Sequence, residues 1–166
     1  MKARNYREVK GVPYTRKEFI HGVPQPKITK FTMGDPSVSY GYRLSLISLE
    51  RAHIRHNALE AARVAANRYL QDKVGEKNYY LRVSLYPHVV LRENKMIFGA
   101  HADRLSDGMK RAFGKPIGTA ARVELNQPVI IVNVNEDTID VAKEALRRGA
   151  SKLPTKSRIV IEKIVD

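Results

Sequence analysis

Apolar and polar side chains alternate in several short stretches of the chain, a pattern typical of strands with one buried face. In the segment 79–86 every second residue is apolar, and the four that share one face are Tyr79, Leu81, Val83 and Leu85. This segment is therefore predicted to be a strand. Further strands are predicted at residues 27–33, 40–49, 89–94, 119–125, 129–134 and 158–165.

The spacing becomes helical over residues 57–73, where apolar positions recur every three or four residues. Asn57 followed three residues later by Glu60 matches a helix N-cap and its acidic partner. Gly75 is predicted to end this helix. Its many alanines indicate close packing on a sheet.

A second helix is predicted to begin at Asp137 or Thr138 and to end at Gly149. Clusters of strands, interrupted by two helices and joined by short links, favour the α+β class. We therefore expect a mostly antiparallel or mixed sheet packed with two helices.

Residues 1–27 show no pattern that would form a core, and several prolines keep them extended. The alternatives are a frayed terminus and an RNA-binding arm, and aromatic residues interleaved with cations favour the arm. The remaining residues, 28–166, are predicted to form one domain. The candidate RNA-binding residues of the arm are Lys2, Arg4, Tyr6, Arg7, Lys10, Tyr14, Arg16, Lys17 and Lys27.

A second basic segment, about 99–118, fits neither a strand nor a helix period. Loops of this length inside a compact domain are usually functional or disordered. A cationic loop is suited to a polyanion, and its glycines allow the backbone to approach phosphates closely. The candidate RNA-facing residues of the loop are His101, Arg104, Lys110, Arg111, Phe113, Gly114, Lys115 and Arg122.

The charge balance supports a nucleic-acid partner. The 166 residues include 30 Lys and Arg against 17 Asp and Glu, giving a net charge of +13, and the pI is about 10.1. A hydrophobic fraction of 43% indicates a folded body carrying this charge. We expect no membrane association, because the chain shows neither an apolar span nor a basic amphipathic helix with a bulky apolar face.

Enzymatic and metal sites are not expected. Gly108 and Gly114 resemble the glycines of a phosphate-binding loop, but five residues separate them instead of four, and Pro116 replaces the Ser or Thr after Lys115. The chain has no Cys, and His53 and His56 lack an accompanying ligand set. Solvated or RNA-facing histidines are the plainer interpretation. The sequence predicts no catalytic residue, no metal, no cofactor and no small-molecule substrate.

Ordered motifs along nearly the whole chain resemble a known family. They are Tyr6-Arg7, Pro13-Tyr14, Phe19, Gly22-Val-Pro24, Lys27-Ile28, Gly34, Glu60-Ala-Ala-Arg63, Ala66-Asn67, Ala102-Asp-Arg-Leu105, Gly108-Met109, Ala112-Phe-Gly-Lys-Pro116, Ala121-Arg-Val123 and Glu144-Ala-Leu-Arg-Arg148. Together they resemble the universal large-subunit ribosomal protein family that is numbered sixteen in bacteria and ten, with suffix e, in archaea and eukaryotes. The end at Asp166, without the basic tail of eukaryotic members, predicts an archaeal-type member.

The resemblance implies a hammerhead-like β motif and a place in the large subunit of the cytoplasmic ribosome. It implies large-subunit rRNA and neighbouring ribosomal proteins as partners, with the loop directed toward tRNA near the peptidyl-transferase centre. Peptide-bond chemistry would then belong to RNA and not to this chain. The alternatives are a free-standing RNA-binding, tRNA-binding or ribosome-assembly factor and an RNA-modifying enzyme, for which no cofactor or nucleophile site is found.

Overall fold

The computed structural model describes residues 1–97, 99, 106 and 108–164. They form two α-helices and eight strands, with short 3-10 turns between some of them. In chain order these elements are β1 Thr32–Gly34, β2 Tyr42–Ser48, β3 Ala52–Arg55, α1 His56–Val74, β4 Tyr80–Val83, β5 Val89–Glu93, β6 Lys115–Val123, β7 Pro128–Val134, α2 Ile139–Ala150 and β8 Ser157–Lys163.

The strands form two sheets in which every described neighbouring pair is antiparallel. Sheet A has the order β1-β4-β7-β2-β8, and sheet B has the order β3-β6-β5. The predicted α+β class is therefore confirmed, and the sheets are antiparallel.

Both helices pack on the core through small side chains. Ala62 and Ala66 of α1 and Ala142 and Ala145 of α2 are fully buried. Gly149, which the sequence predicted to end α2, lies inside the helix and is buried. A Cβ added to Gly149 would lie 3.4 Å from the carbonyl oxygen of Ala62. The glycine therefore marks the close approach of two helices, and the prediction of a helix stop there was wrong.

The buried tyrosine of the alternating segment shows how sheet A joins α1. The ring of Tyr79 is fully buried, and its hydroxyl donates to Oδ1 of Asn67 on α1 at 2.7 Å. Tyr40 is also buried, and its hydroxyl donates to the carbonyl of Asp35 at 2.9 Å. These two tyrosines serve as core residues.

Several element boundaries differ from the predicted ones. Strand β3 was not predicted, because four residues are too few to establish a period of two. Helix α1 begins at His56, one residue before the predicted cap, and the side chain of Asn57 accepts only from the N–H of Ala58. Strand β6 begins at Lys115, so the predicted loop ends at Gly114 instead of Gly118.

Candidate nucleic-acid interface

The arm, residues 1–27, is bound to both edges of sheet B. Strands β3 and β5 are the edge strands of this sheet. The backbone N–H of His53 on β3 donates to the carbonyl of Arg7 at 2.8 Å, and that of Val90 on β5 donates to the carbonyl of Tyr14 at 2.7 Å. Strand edges present unpaired donors and acceptors, and here the arm satisfies some of them. The arm therefore runs from one edge of the sheet to the other.

Arg122 holds the middle of the arm. It lies on β6, the central strand of sheet B, and not in the loop to which the sequence assigned it. Its Nη1 donates to the carbonyl of Gly11 at 3.2 Å, and its Nε donates to Glu124 at 2.9 Å. Gly11 has a φ of +64°, a backbone conformation that glycine adopts without strain. The arm thus crosses above β6 at a glycine.

Each strand of sheet B supplies one arginine to the arm. Besides Arg122, the guanidinium of Arg55 on β3 lies 5.7 Å from the ring centre of Tyr6. That of Arg92 on β5 lies 4.2 Å from the ring centre of Tyr14. Both separations are within cation–π range. The predicted stacking residues of the arm therefore contact arginines of the folded domain.

Two histidines complete the attachment. Nδ1 of His53 lies 2.9 Å from the carbonyl oxygen of Tyr6, so it donates to that oxygen as the protonated ring nitrogen. Nδ1 of His56 accepts from the backbone N–H of Lys27 at 3.0 Å. Both side chains are more than nine-tenths buried. The interpretation of these two histidines as solvated or RNA-facing was therefore wrong.

Burial lowers the pKa of His56, and the nearby charges of Arg55 and Lys27 lower it further. The neutral imidazole is the form that can accept the N–H of Lys27, because a protonated ring has two donors and no acceptor. Attachment of the end of the arm therefore depends on the protonation state of His56.

The arm presents its cations outward. All seven of its predicted basic site residues are exposed. One of them, Lys10, pairs with the exposed Glu8 at 2.9 Å, a kind of contact that contributes little in water. Because phosphate contacts come mainly from Lys, Arg and backbone N–H groups, this outer surface is suited to an RNA backbone. The seven residues are Lys2, Arg4, Arg7, Lys10, Arg16, Lys17 and Lys27.

The C-terminal part of the loop, residues 109–114, is here called the loop stem. It starts with the 3-10 turn Met109–Arg111. Gly114, with a φ of +74°, ends it. A Cβ at Gly114 would lie 2.6 Å from the carbonyl carbon of Glu93, so this glycine permits the stem to meet the end of β5. The stem is thus fixed to sheet B at its last residue.

The predicted loop residues fall into three groups. Lys110, Arg111, Phe113 and Gly114 lie in the stem, and all of them except Gly114 are exposed. Lys115 and Arg122 lie on β6. His101 and Arg104 lie outside the described residues. The structure therefore brings part of the predicted set into one exposed segment next to the arm.

Sequence reasoning missed Arg55 and Arg92, which contact the arm from the strands. Arg92 lies in a predicted strand, where an arginine resembles an ordinary solvated position, and Arg55 lies in β3, which was not predicted, so neither carried a local signal. The available signal was indirect: tyrosines interleaved in a polar arm indicate that the arm contacts another surface, but not which residues it meets. Among the described residues, no group of three or more metal-ligating side chains is found, and no helix is long and apolar enough to cross a membrane.

Comparison with known proteins connects this surface to a family. The family model described as "Ribosomal protein L16p/L10e" matches residues 9–160. The "Large ribosomal subunit protein uL16" of Hyperthermus butylicus is 60% identical over 156 residues, which cover 94% of this chain and 87% of the relative. The proteins of that name from Staphylothermus marinus and Methanococcus maripaludis are 59% and 48% identical, covering 96% and 97% of this chain and 92% and 93% of theirs.

Proposed function

The chain belongs to the L16p/L10e family of ribosomal proteins, and on that premise we propose that it is a structural constituent of the large subunit of the cytoplasmic ribosome whose arm and loop stem bind large-subunit rRNA. The single observation that carries the proposal is the exposed cationic surface of the arm, held across sheet B by three arginines. Cations fixed on a folded body neutralise phosphates and release counterions from RNA.

The finer part of the proposal concerns the loop. Lys110, Arg111 and Phe113 are exposed on the stem, where two cations beside an aromatic ring suit a backbone phosphate and a stacked base. We propose that this segment helps position tRNA near the peptidyl-transferase centre, with neighbouring ribosomal proteins and rRNA fixing its path. The work of this chain is then binding and orientation, and not catalysis.

Salt dependence tests the rRNA part. If about six phosphates are neutralised, the logarithm of the affinity of the full chain for large-subunit rRNA should fall with the logarithm of salt at a slope of roughly −4 to −5. Replacing Arg4, Lys10, Arg16 and Lys17 with Ala should make the slope distinctly shallower. A slope near zero in the unchanged protein would refute phosphate neutralisation as the main term.

A matched pair of double variants tests the tRNA part. Lys110→Ala with Arg111→Ala removes two charges from the stem, and Lys156→Ala with Arg158→Ala removes two exposed charges at the β8 edge of sheet A. Both are incorporated into large subunits, which are washed in high salt and sedimented. We expect both to remain with the subunit and only the stem pair to weaken tRNA binding. Release of the unchanged protein by the wash would instead favour a free-standing assembly factor.

A further inference from the structure

The arm and the loop stem meet at one side chain, Arg92 of β5. Its guanidinium lies 4.2 Å from the ring centre of Tyr14 in the arm and 3.6 Å from that of Phe113 in the stem. The two rings also contact each other edge to face, with centres 6.2 Å apart and planes at 86°. Nη1 of Arg92 donates to the carbonyl oxygen of Phe113. One planar cation therefore touches both RNA-binding segments.

Backbone contacts restrict both segments beside this cation. The carbonyl of Tyr14 accepts from Val90 N–H at 2.7 Å, two residues from Arg92. Gly114, the residue after Phe113, lies against Glu93, the residue after Arg92. The amino terminus of Met1 is 3.4 Å from the carboxylate of Glu93. The arm and the stem are thus brought together beside Arg92 on β5.

The chemistry of the contact requires arginine. A guanidinium is planar, stacks on aromatic rings and donates in a fixed fork, whereas a lysine ammonium is a point charge on a flexible stem. The ring contacts and the hydrogen bond to Phe113 therefore depend on the planar guanidinium of Arg92.

We propose that Arg92 is a positioning residue that couples the arm to the loop stem. RNA bound by the arm would then hold the stem in its position against the end of β5, which is here called the seated position. The inference deepens the proposed function and depends on the arm binding RNA. A ligand shifts such an equilibrium only through its different affinities for the two states. RNA favours the arm in its position across sheet B. In that position Tyr14 contacts Arg92, and Arg92 then holds Phe113 of the stem. Coupling is reciprocal, so a ligand on the stem tightens the arm by the same factor.

The distance between arm and stem tests the coupling in the full chain. The protein contains no Cys, so Thr15→Cys and Met109→Cys, both at exposed positions, can carry two spin labels. The distance distribution is measured by pulsed electron resonance with and without large-subunit rRNA from the same source. We expect one narrow distance that rRNA sharpens in the unchanged protein. We expect Arg92→Gln to reduce the ratio of molecules with the stem against β5 to molecules with the stem away from it by roughly fivefold or more. Addition of rRNA should no longer restore this ratio.

Three further variants separate coupling from loss of structure. Arg92→Lys keeps the positive charge but loses the planar guanidinium, and it should release the stem as Arg92→Gln does. Tyr14→Leu removes only the arm side of the contact and should also abolish the rRNA effect on the stem. Arg158→Gln removes an exposed arginine from β8, in the other sheet, and it should leave the distance unchanged. If Arg92→Gln fails to fold, the lysine and leucine variants decide.

The proposal is overturned if the distance distribution and its response to rRNA are unchanged in Arg92→Lys and Tyr14→Leu. It is also overturned if Arg158→Gln releases the stem as strongly as they do, because the effect would then not depend on the contact at Arg92. Failure of the proposed function would give a different result. The affinity of the unchanged protein for rRNA would then be low and insensitive to salt. Normal tRNA binding by the stem double variant would refute the role of the loop, with the distance measurement still deciding on Arg92.

Discussion

Sheet A packs on the helices through apolar side chains, whereas sheet B holds the arm through three arginines, His53 and hydrogen bonds to backbone carbonyls of the arm. In the first junction, Ile130 of β7 and Ala142 of α2 are fully buried. In the second, Arg55, Arg92 and Arg122 reach the arm by ring contacts and a hydrogen bond. Apolar burial gains its free energy by leaving water, while each polar contact replaces a contact with water and gains about 0.5–1.5 kcal/mol.

This difference teaches how one small chain provides a rigid body and a binding segment together. In the apolar junction Ile130 and Ala142 are already out of water within the chain itself. The polar junction holds the arm in place weakly, with its cations still directed outward. Because the arm already crosses the sheet, less ordering entropy would remain to be lost in the rRNA binding proposed above.

The largest effect is expected from breaking the apolar junction. Ile130→Ala removes a fully buried side chain of sheet A and should lower the free energy of unfolding by about 2–5 kcal/mol. Val12→Ala in the arm, at a side chain that is 85% exposed, is the matched control and should change stability by less than about 0.5 kcal/mol. Urea denaturation measures both. Equal losses would show that the arm is as much a part of the core as sheet A.

A smaller loss is expected where the loop stem meets β5. Gly114→Ala places a Cβ 2.6 Å from backbone atoms of Glu93 and also requires a positive φ, so we expect a loss of about 1–3 kcal/mol. Gly11→Ala in the arm has a similar φ of +64° and no atom within 4 Å of its Cβ, so it isolates the backbone strain. If the two alanine variants have the same melting temperature, the close approach of the stem to Glu93 at Gly114 adds nothing to the loss of stability.

Removing a polar anchor should affect the arm more than the fold. Arg122→Gln loses the hydrogen bond to Gly11 and should lower stability by about 1 kcal/mol. We expect trypsin to cut the arm of the free variant faster than that of the unchanged protein, with both protected when bound to rRNA. Arg158→Gln, an exposed position on β8, is the control. Equal cleavage rates in the free proteins would mean that Arg122 does not hold the arm.

The smallest effect is expected from pH. The pKa of His56 is lowered in the folded protein from the ordinary value of 6.5, so between these two values the unfolded state binds more protons. The contribution of His56 to the free energy of unfolding is fully present above pH 6.5. It is lost as the pH falls from 6.5 to the lowered pKa of His56 in the folded protein. We expect a loss below about 1 kcal/mol, the scale of one hydrogen bond.

His56→Asn retains an acceptor for Lys27 N–H and does not titrate. Melting curves at pH 7.5 and at pH 5 compare the two proteins. The loss of stability between pH 7.5 and pH 5 should be smaller in His56→Asn than in the unchanged protein, by the amount that His56 contributes. An identical pH dependence in both proteins would show that the imidazole does not control attachment of the arm.

The sequence alone predicted most of the apolar half of this molecule. The alternation around Leu81 and Val83 established β4, and the alanine-rich stripe from Leu59 to Leu70 established α1. These predictions held because burial on one face imposes a period of 2 or 3.6 on the sequence itself. The charge and the family resemblance also predicted that the arm and the loop bind RNA, and this stays a prediction.

Only the tertiary structure decided how the arm is held. Nothing within a few residues of Arg122 indicates that it donates to the carbonyl of Gly11, 111 positions earlier. Nothing near His53 indicates that its ring donates to the carbonyl of Tyr6. Gly149 resembled a helix end and is a helix contact. A periodic pattern records which face of an element is buried. It does not record which polar partner arrives from a distant segment, because one hydrogen bond or ring contact requires a single residue at each end and leaves no repeat in the chain.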